Sequence, residues 1–258
     1  MIELPFAPGL RLDLSLPAGP VRGLVAYAHG GSFEGGSRRD RLAAHLPDLF
    51  LPRGIGFASI SYRLRGRPEF TDTNQADVAA TAMARSAEFY PEIRPGLFGP
   101  YLYSAVQDFR RALDCLRQSS AADTLDVAPV VTMGFSAGGL AAMGVAYGLD
   151  GLPTVPHPPA GAVAISAIPP QPWRTSKPCV SGWVLTARGD AVFPRAAAAR
   201  AAAALSDAQA PVAFSMVPYG QHNRPIRELT DGRRPCGTRW GTLLIERIEA
   251  CLLYTSDA

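Results

Sequence analysis

Gly134-Phe135-Ser136-Ala137-Gly138-Gly139 follows an apolar, β-branched run at residues 130–133 and precedes a helical stretch at residues 140–147. This context predicts a tight turn between a buried strand and a helix. Small residues at Gly134 and Gly138 let the strand and the helix approach closely around the turn. In such a G-x-S-x-G nucleophile elbow the serine hydroxyl is held exposed at a strained position. We therefore expect Ser136 to be a nucleophile. The alternative is a glycine-rich turn between strand and helix that has a packing role and no catalytic one.

Short apolar runs alternate with Ala-rich amphipathic stretches on both sides of this turn. The alternation is typical of βα units on a mostly parallel sheet with helices on both faces. Strands are predicted at residues 11–16 (on an edge), 24–28, 55–62, 130–133, 162–165, 183–187 and 212–217. Helices are predicted at residues 40–51, 75–89, 103–118, 137–147 and 195–205 and from about residue 238. The fold class is therefore α/β, with a single domain over residues 1–250.

A second glycine-rich segment, His29-Gly30-Gly31-Ser32-Phe33, follows an early buried strand. Acyl transfer needs backbone N–H donors aimed at the developing oxyanion, each worth roughly 3–4 kcal/mol. Glycines allow the backbone to turn such donors inward. We expect the N–H groups of Gly30, Gly31 and Ala137 to form an oxyanion hole. The imidazole of His29 is interpreted as a brace for this loop. The alternative is that His29 is the catalytic base, but it lies too early in the chain for the expected order of nucleophile, acid and base.

A nucleophilic serine needs a base, and the base needs an orienting carboxylate. Of the four histidines, His222 follows the last predicted strand. Asp190 follows the strand at residues 183–187, whereas the competing Asp207 ends a predicted helix and is typical of a cap or a surface charge. Strand ends of such sheets face the active-site crevice. We therefore expect a catalytic triad of Ser136, Asp190 and His222.

These features resemble the α/β-hydrolase esterase and lipase group related to hormone-sensitive lipase and to acetyl-xylan or feruloyl esterases. The resemblance covers nearly the whole chain and includes the order Ser, Asp, His of the triad. Ser61-Tyr62-Arg63-Leu64 is similar to the segment that follows the next strand in that group. Asp108 resembles the group's structural aspartate on the helix before the nucleophile strand. One departure is His-Gly-Gly-Ser at residues 29–32, where the hormone-sensitive-lipase branch has His-Gly-Gly-Gly.

The resemblance implies hydrolysis of small-molecule carboxylic esters through an acyl-enzyme on Ser136, without a metal or an organic cofactor. Two alternatives remain. The same machinery cleaves amides, so the protein is alternatively an amidase or an arylformamidase similar to kynurenine formamidase. It is otherwise a catalytically inactive α/β-hydrolase scaffold that acts as a binding module.

Composition excludes several other classes of protein. The chain has 258 residues, of which 47% are hydrophobic and 18% charged, as in soluble globular proteins. A net charge of +3 predicts no nucleic-acid partner, and no apolar run reaches membrane-spanning length. The cysteines lack the spacing of a metal site. Because no secretory signal follows Met1, we expect a cytoplasmic location.

Two segments fall outside the regular pattern. Residues 66–100 interrupt the βα alternation and are interpreted as an insertion or a lid. The aromatic residues of this region line a substrate pocket or form a packed satellite core: Phe70, Phe89, Tyr90, Phe98, Tyr101 and Tyr103. Residues 251–258 resemble one reading frame of a transposase adapter used in sequencing libraries. We therefore expect a non-native tail after Ala250.

Overall fold

The computed structural model describes residues 1–118, 129–175 and 180–253, which contain an eight-stranded sheet. The strands are β1 Ile2–Ala7, β2 Leu10–Ser15, β3 Gly23–Ala28, β4 Ile55–Ile60, β5 Val130–Phe135, β6 Gly161–Ile165, β7 Ser181–Ala187 and β8 Val212–Val217. Their order is β1-β2-β4-β3-β5-β6-β7-β8. The strand β2 pairs antiparallel with both of its neighbours, β1 and β4. All further neighbours in this order, from β4 and β3 to β7 and β8, pair in parallel. The predicted α/β class is confirmed.

Helices cover both faces of this sheet. They are α1 Arg41–Phe50, α2 Thr73–Phe89, α3 Pro100–Gln118, α4 Ala137–Tyr147, α5 Arg195–Asp207, α6 Arg224–Asp231 and α7 Trp240–Leu253. Alternate residues of β3 enter opposite cores: Ala26 packs with α3 and α4, whereas Tyr27 packs with α1 and α7. Asp40 caps α1 by accepting a hydrogen bond from the Ala43 N–H at 2.7 Å. No helix in the described ranges is both long enough and apolar enough to cross a membrane.

The prediction that residues 11–16 lie on the edge of the sheet is wrong, because β1 lies outside β2. Residues 2–7 form an additional outer strand, and its Pro5 is tolerated because an edge strand can leave an N–H position unpaired. One face of β2 is buried at Leu10, Leu12 and Leu14, and the opposite face carries exposed Arg11 and buried Asp13, which accepts a hydrogen bond from Arg39 Nε at 2.6 Å. The alternation of β2 therefore reflects one apolar core face and one polar face, on which Asp13 pairs with Arg39 and Arg11 is exposed.

The segment after β8 contains α6, where the sequence pattern predicts only a loop. This helix has eight residues and buries few of them, among them Pro225 and Leu229. Such a short, mostly polar stretch cannot show the repeated apolar spacing from which longer helices are recognised. Pro225 in the first turn is the one local sign of a helix start.

The aromatic residues of the segment at 66–100 lie mostly in the main core. Tyr90, Phe98 and the neighbouring Tyr103 are fully buried there, and the Tyr90 hydroxyl donates to the Pro169 carbonyl at 2.9 Å. Arg94 links the segment to the loop after β3 through an ion pair with Glu34 of 3.1 Å. The interpretation as an insertion or a lid stays a prediction.

The predicted non-native tail overlaps the end of α7. Cys251 and Leu252 are buried, and Cys251 lies against Gly161 at the start of β6. Residues 254–258 lie outside the described residues, so the non-native origin of the tail stays a prediction.

A buried carboxylate ties α3 to the loop after β4. Asp108 is fully buried and accepts hydrogen bonds from the Arg63 N–H at 2.9 Å, Arg63 Nε at 2.9 Å and an Arg111 guanidinium nitrogen at 3.0 Å. Removing a carboxylate from such a cluster leaves buried donors without a charged acceptor.

We predict that Asp108→Asn lowers the free energy of unfolding by at least about 2 kcal/mol, because the cluster loses its charge while the side-chain shape is kept. Asp114→Asn is the matched control on the same helix, since its ion pair with Arg117 is largely exposed. We expect a loss of no more than about 0.5 kcal/mol in the control. Urea unfolding measures the free energy of unfolding of both variants. Equal losses of stability in Asp108→Asn and Asp114→Asn would contradict a structural role for Asp108.

Candidate active site

Ser136 joins β5 to α4 in a strained backbone conformation. Its φ of 54° and ψ of −121° lie in a region that L residues rarely adopt. The turn is fixed from both sides: the Ser136 N–H donates to the Ile165 carbonyl at 2.8 Å, and the Ser136 carbonyl accepts from the Gly139 N–H at 2.9 Å. Strain of this kind persists only where the surrounding structure holds it.

Glycines around Ser136 allow this conformation. An ideal Cβ on Gly134 would lie 2.1 Å from the Gly138 carbonyl oxygen. On Gly138 it would lie 2.1 Å from the Ala28 carbonyl oxygen and 2.4 Å from that of His29. Any other residue at Gly138 would therefore push α4 away from the end of β3.

His222 lies beside Ser136 at the end of the loop after β8. Its Nε2 is 2.9 Å from Ser136 Oγ. Two aromatic rings flank the imidazole, with centroid distances of 5.3 Å to Phe135 and 5.8 Å to Phe193. These apolar neighbours limit how far the imidazole can rotate.

Asp190 lies on the opposite side of the imidazole, after β7. His222 Nδ1 is 2.9 Å from one carboxylate oxygen and 3.1 Å from the other. The fully buried carboxylate also accepts from the N–H groups of Val192 at 2.8 Å and Phe193 at 2.9 Å. Because a carboxylate only accepts, this pattern assigns a proton to Nδ1, and in the corresponding neutral tautomer the Nε2 lone pair faces Ser136. The competing Asp207 is exposed at the end of α5.

The loop after β3 lies against the nucleophile turn. An ideal Cβ on Gly30 would lie 2.6 Å from the Phe135 ring and 3.2 Å from the Phe135 carbonyl oxygen. Gly31 has a φ of 120°, which an L residue rarely adopts. Within the described part of the chain, the N–H groups of Gly30, Gly31 and Ala137 donate to no protein acceptor. They are therefore free to donate to a bound ligand, and their role as an oxyanion hole stays a prediction.

His29 lies inside this loop and bonds to its backbone. The imidazole is buried, its Nδ1–H donates to the Gly30 carbonyl at 2.8 Å, and it stacks on Tyr62 with centroids 4.3 Å apart. Burial lowers the pKa of His29, so the ring is neutral at physiological pH. Among the remaining histidines, His45 lies in α1 and His157 is exposed.

Sequence reasoning missed residues that support the site. Phe193 covers the His222 ring from the turn that also carries Asp190, and its only sequence signal is an aromatic residue three positions after the predicted acid. No group of three or more His, Cys, Asp or Glu side chains in the described ranges could hold a metal ion.

We predict that Gly138→Ala lowers the free energy of unfolding by about 3 kcal/mol or more. The added Cβ clashes with the carbonyl oxygens of Ala28 and His29, which cannot move without shifting the end of β3. Gly96→Ala is the control, since a Cβ there meets nothing within 4 Å and its φ is not positive. Thermal and urea unfolding of both variants provide the measurement. Equal stability of Gly138→Ala and the unaltered protein would show that α4 can move away from β3.

Comparison with known proteins yields matches in structure only. No protein-family model matches the sequence, and neither does any curated protein. An α/β serine hydrolase homologue from Coxiella burnetii is 15% identical with a TM-score of 0.55, covering 86% of this chain and 88% of that one. A thermophilic esterase from Thermogutta terrifontis with bound propionate is 15% identical with a TM-score of 0.58, covering 96% and 88%. The same esterase phosphorylated by paraoxon is 17% identical with a TM-score of 0.57, covering 96% and 87%. The chain therefore has the α/β-hydrolase fold.

Proposed function

We propose that this protein is a serine hydrolase that cleaves small-molecule carboxylic esters through an acyl-enzyme on Ser136. The observation that carries the proposal is the continuous hydrogen-bonded chain from Asp190 through His222 to Ser136, with 2.9 Å at each of its two links. A serine hydroxyl becomes nucleophilic when a neutral imidazole accepts its proton and a carboxylate orients that imidazole.

In the acylation step, Ser136 Oγ attacks the ester carbonyl carbon while His222 Nε2 takes the hydroxyl proton. Asp190 stabilises the imidazolium that forms and keeps the proton on Nδ1. The carbonyl oxygen becomes an oxyanion and accepts hydrogen bonds from the N–H groups of Gly30, Gly31 and Ala137. The alcohol then leaves with the proton from Nε2, and the acyl group stays on Oγ.

In the deacylation step, water replaces the alcohol. The water oxygen attacks the acyl carbon while His222 Nε2 takes a proton from the water. Collapse of the second tetrahedral intermediate returns the proton to Ser136 Oγ and releases the carboxylic acid. The N-terminus of α4 adds a partial positive charge beside the oxyanion in both steps.

The structural neighbours support a serine hydrolase function for this chain. They include an esterase with bound propionate, the same esterase phosphorylated by paraoxon, and a serine hydrolase homologue. The placement in the esterase and lipase group related to hormone-sensitive lipase and to acetyl-xylan or feruloyl esterases rests on the sequence motifs at residues 61–64 and 134–139 alone and is part of this proposal.

We predict that the purified protein hydrolyses short-chain p-nitrophenyl esters and that Ser136→Ala and His222→Ala each lower kcat by about a thousandfold or more. Ser206→Ala and His157→Ala are the controls, because both side chains are exposed and distant in sequence from the triad. The controls should keep kcat within about twofold of the unaltered protein. Unchanged turnover by Ser136→Ala would overturn the proposal.

A parallel assay on N-formylkynurenine separates ester from amide cleavage. A higher kcat/KM for the formamide than for every ester tested would make the protein an arylformamidase with the same triad. No turnover of either substrate by the folded protein would indicate an inactive scaffold that binds ligands.

A further inference from the structure

Ser166 follows β6 in the same way that Ser136 follows β5. Both serines have a positive φ, 48° at Ser166 and 54° at Ser136. Both N–H groups donate to the end of the next strand, Ser166 to the Leu185 carbonyl at 2.7 Å and Ser136 to the Ile165 carbonyl at 2.8 Å. Two neighbouring strands are thus each followed by a serine with a positive φ, and of these two serines only Ser136 has its hydroxyl at the His222 imidazole.

The Ser166 hydroxyl bonds to the backbone of the residue proposed as the base. Ser166 is fully buried, and its Oγ donates to the His222 carbonyl at 2.7 Å. The residues on both sides of His222 are exposed, from Pro218 to Gln221 and at Asn223. The bond from Ser166 therefore connects an otherwise exposed turn to the rigid end of the sheet.

The residue after Ser166 contacts the nucleophile helix. An ideal Cβ on Gly139 would lie 2.7 Å from the Ala167 Cβ, so Ala167 packs directly against the first turn of α4. Residues 166 and 167 thus contact the His222 loop through a hydroxyl and the Ser136 turn through a methyl group. These two adjacent residues therefore link the two parts of the site.

A second anchor holds the flanks of the His222 loop. Buried Glu228 accepts hydrogen bonds from Arg224 Nε at 2.6 Å and from the Tyr219 hydroxyl at 3.1 Å. The Arg224 guanidinium also lies 4.7 Å from the centre of the Tyr219 ring. These contacts fix the loop three residues before and two residues after His222, and Ser166 fixes His222 itself.

We propose that Ser166 is a positioning residue for ester hydrolysis: its hydroxyl holds the His222 backbone so that Nε2 stays aligned with Ser136 Oγ. This inference rests on the proposed function. Because Ser166 touches neither the substrate nor the reacting atoms, its loss should slow the chemical step and leave substrate binding nearly unchanged. The Glu228 anchor remains, so the loop should loosen without detaching.

The test compares Ser166→Ala and Ser166→Gly with Ser59→Ala in p-nitrophenyl ester hydrolysis. The glycine variant also loses the hydroxyl but tolerates the positive φ, so it should fold even where the alanine variant is less stable. Ser59 is the matched control, since its buried hydroxyl donates to another loop carbonyl, that of Arg38, at 2.5 Å.

We expect both Ser166 variants to lower kcat about tenfold with KM within about twofold, as the loss of one buried hydrogen bond allows. Ser59→Ala should keep kcat within about twofold while losing a comparable amount of stability. In a His222→Ala background, adding Ser166→Ala should lower the residual rate no further, because a residue that acts through the imidazole has no effect once the imidazole is gone.

Two results would overturn the inference while leaving the proposed function intact. One is unchanged kcat in Ser166→Gly, in a protein whose turnover still requires Ser136 and His222. The other is an additional loss of rate from Ser166→Ala in the His222→Ala background. Absence of turnover in the unaltered protein would instead be a failure of the proposed function.

Discussion

The close approach of α4 to the ends of β3 and β5 is the constraint on which the rest of the site depends. A Cβ on Gly134 or Gly138 would lie 2.1 Å from a backbone oxygen, so only glycine permits this packing. The packing holds Ser136 at a positive φ and directs its hydroxyl to the edge of the sheet. It also brings the start of α4 beside the loop at Gly30, where N–H groups have no protein acceptor among the described residues.

Parallel strands then supply the remaining groups at the same edge, because their carboxyl ends meet there. Asp190 follows β7 and His222 follows β8, and hydrogen bonds of 2.9 Å join them to each other and to Ser136. The Asp190 carboxylate is satisfied by backbone N–H groups as well as by the imidazole, which is how a buried carboxylate is retained. In the proposed mechanism, the same bonds hold the imidazole ready to accept a proton and to return it.

The sequence predicts the parts of this structure that depend on local pattern. Residues 24–28, 130–133 and 212–217 are apolar enough to be recognised as strands, and the positions of Asp190 and His222 after strands follow from that assignment. The outer strand β1 contains Pro5 and buries little, and α6 is short and polar, so neither has a clear periodicity. The bond from Ser166 to the His222 carbonyl joins residues 56 positions apart. Such a contact depends on the packed positions of two loops, for which a single sequence contains no signal.

The most direct measurement of the central claim is the site at which a fluorophosphonate probe reacts, because the probe loses fluoride and phosphonylates a serine that a base has activated. Mass spectrometry of the digested, labelled protein should place one adduct per chain on Ser136. Ser136→Ala should take up no label, and His222→Ala should react far more slowly. An adduct on a different residue, or labelling that persists in Ser136→Ala, would contradict the account of Ser136 as the nucleophile.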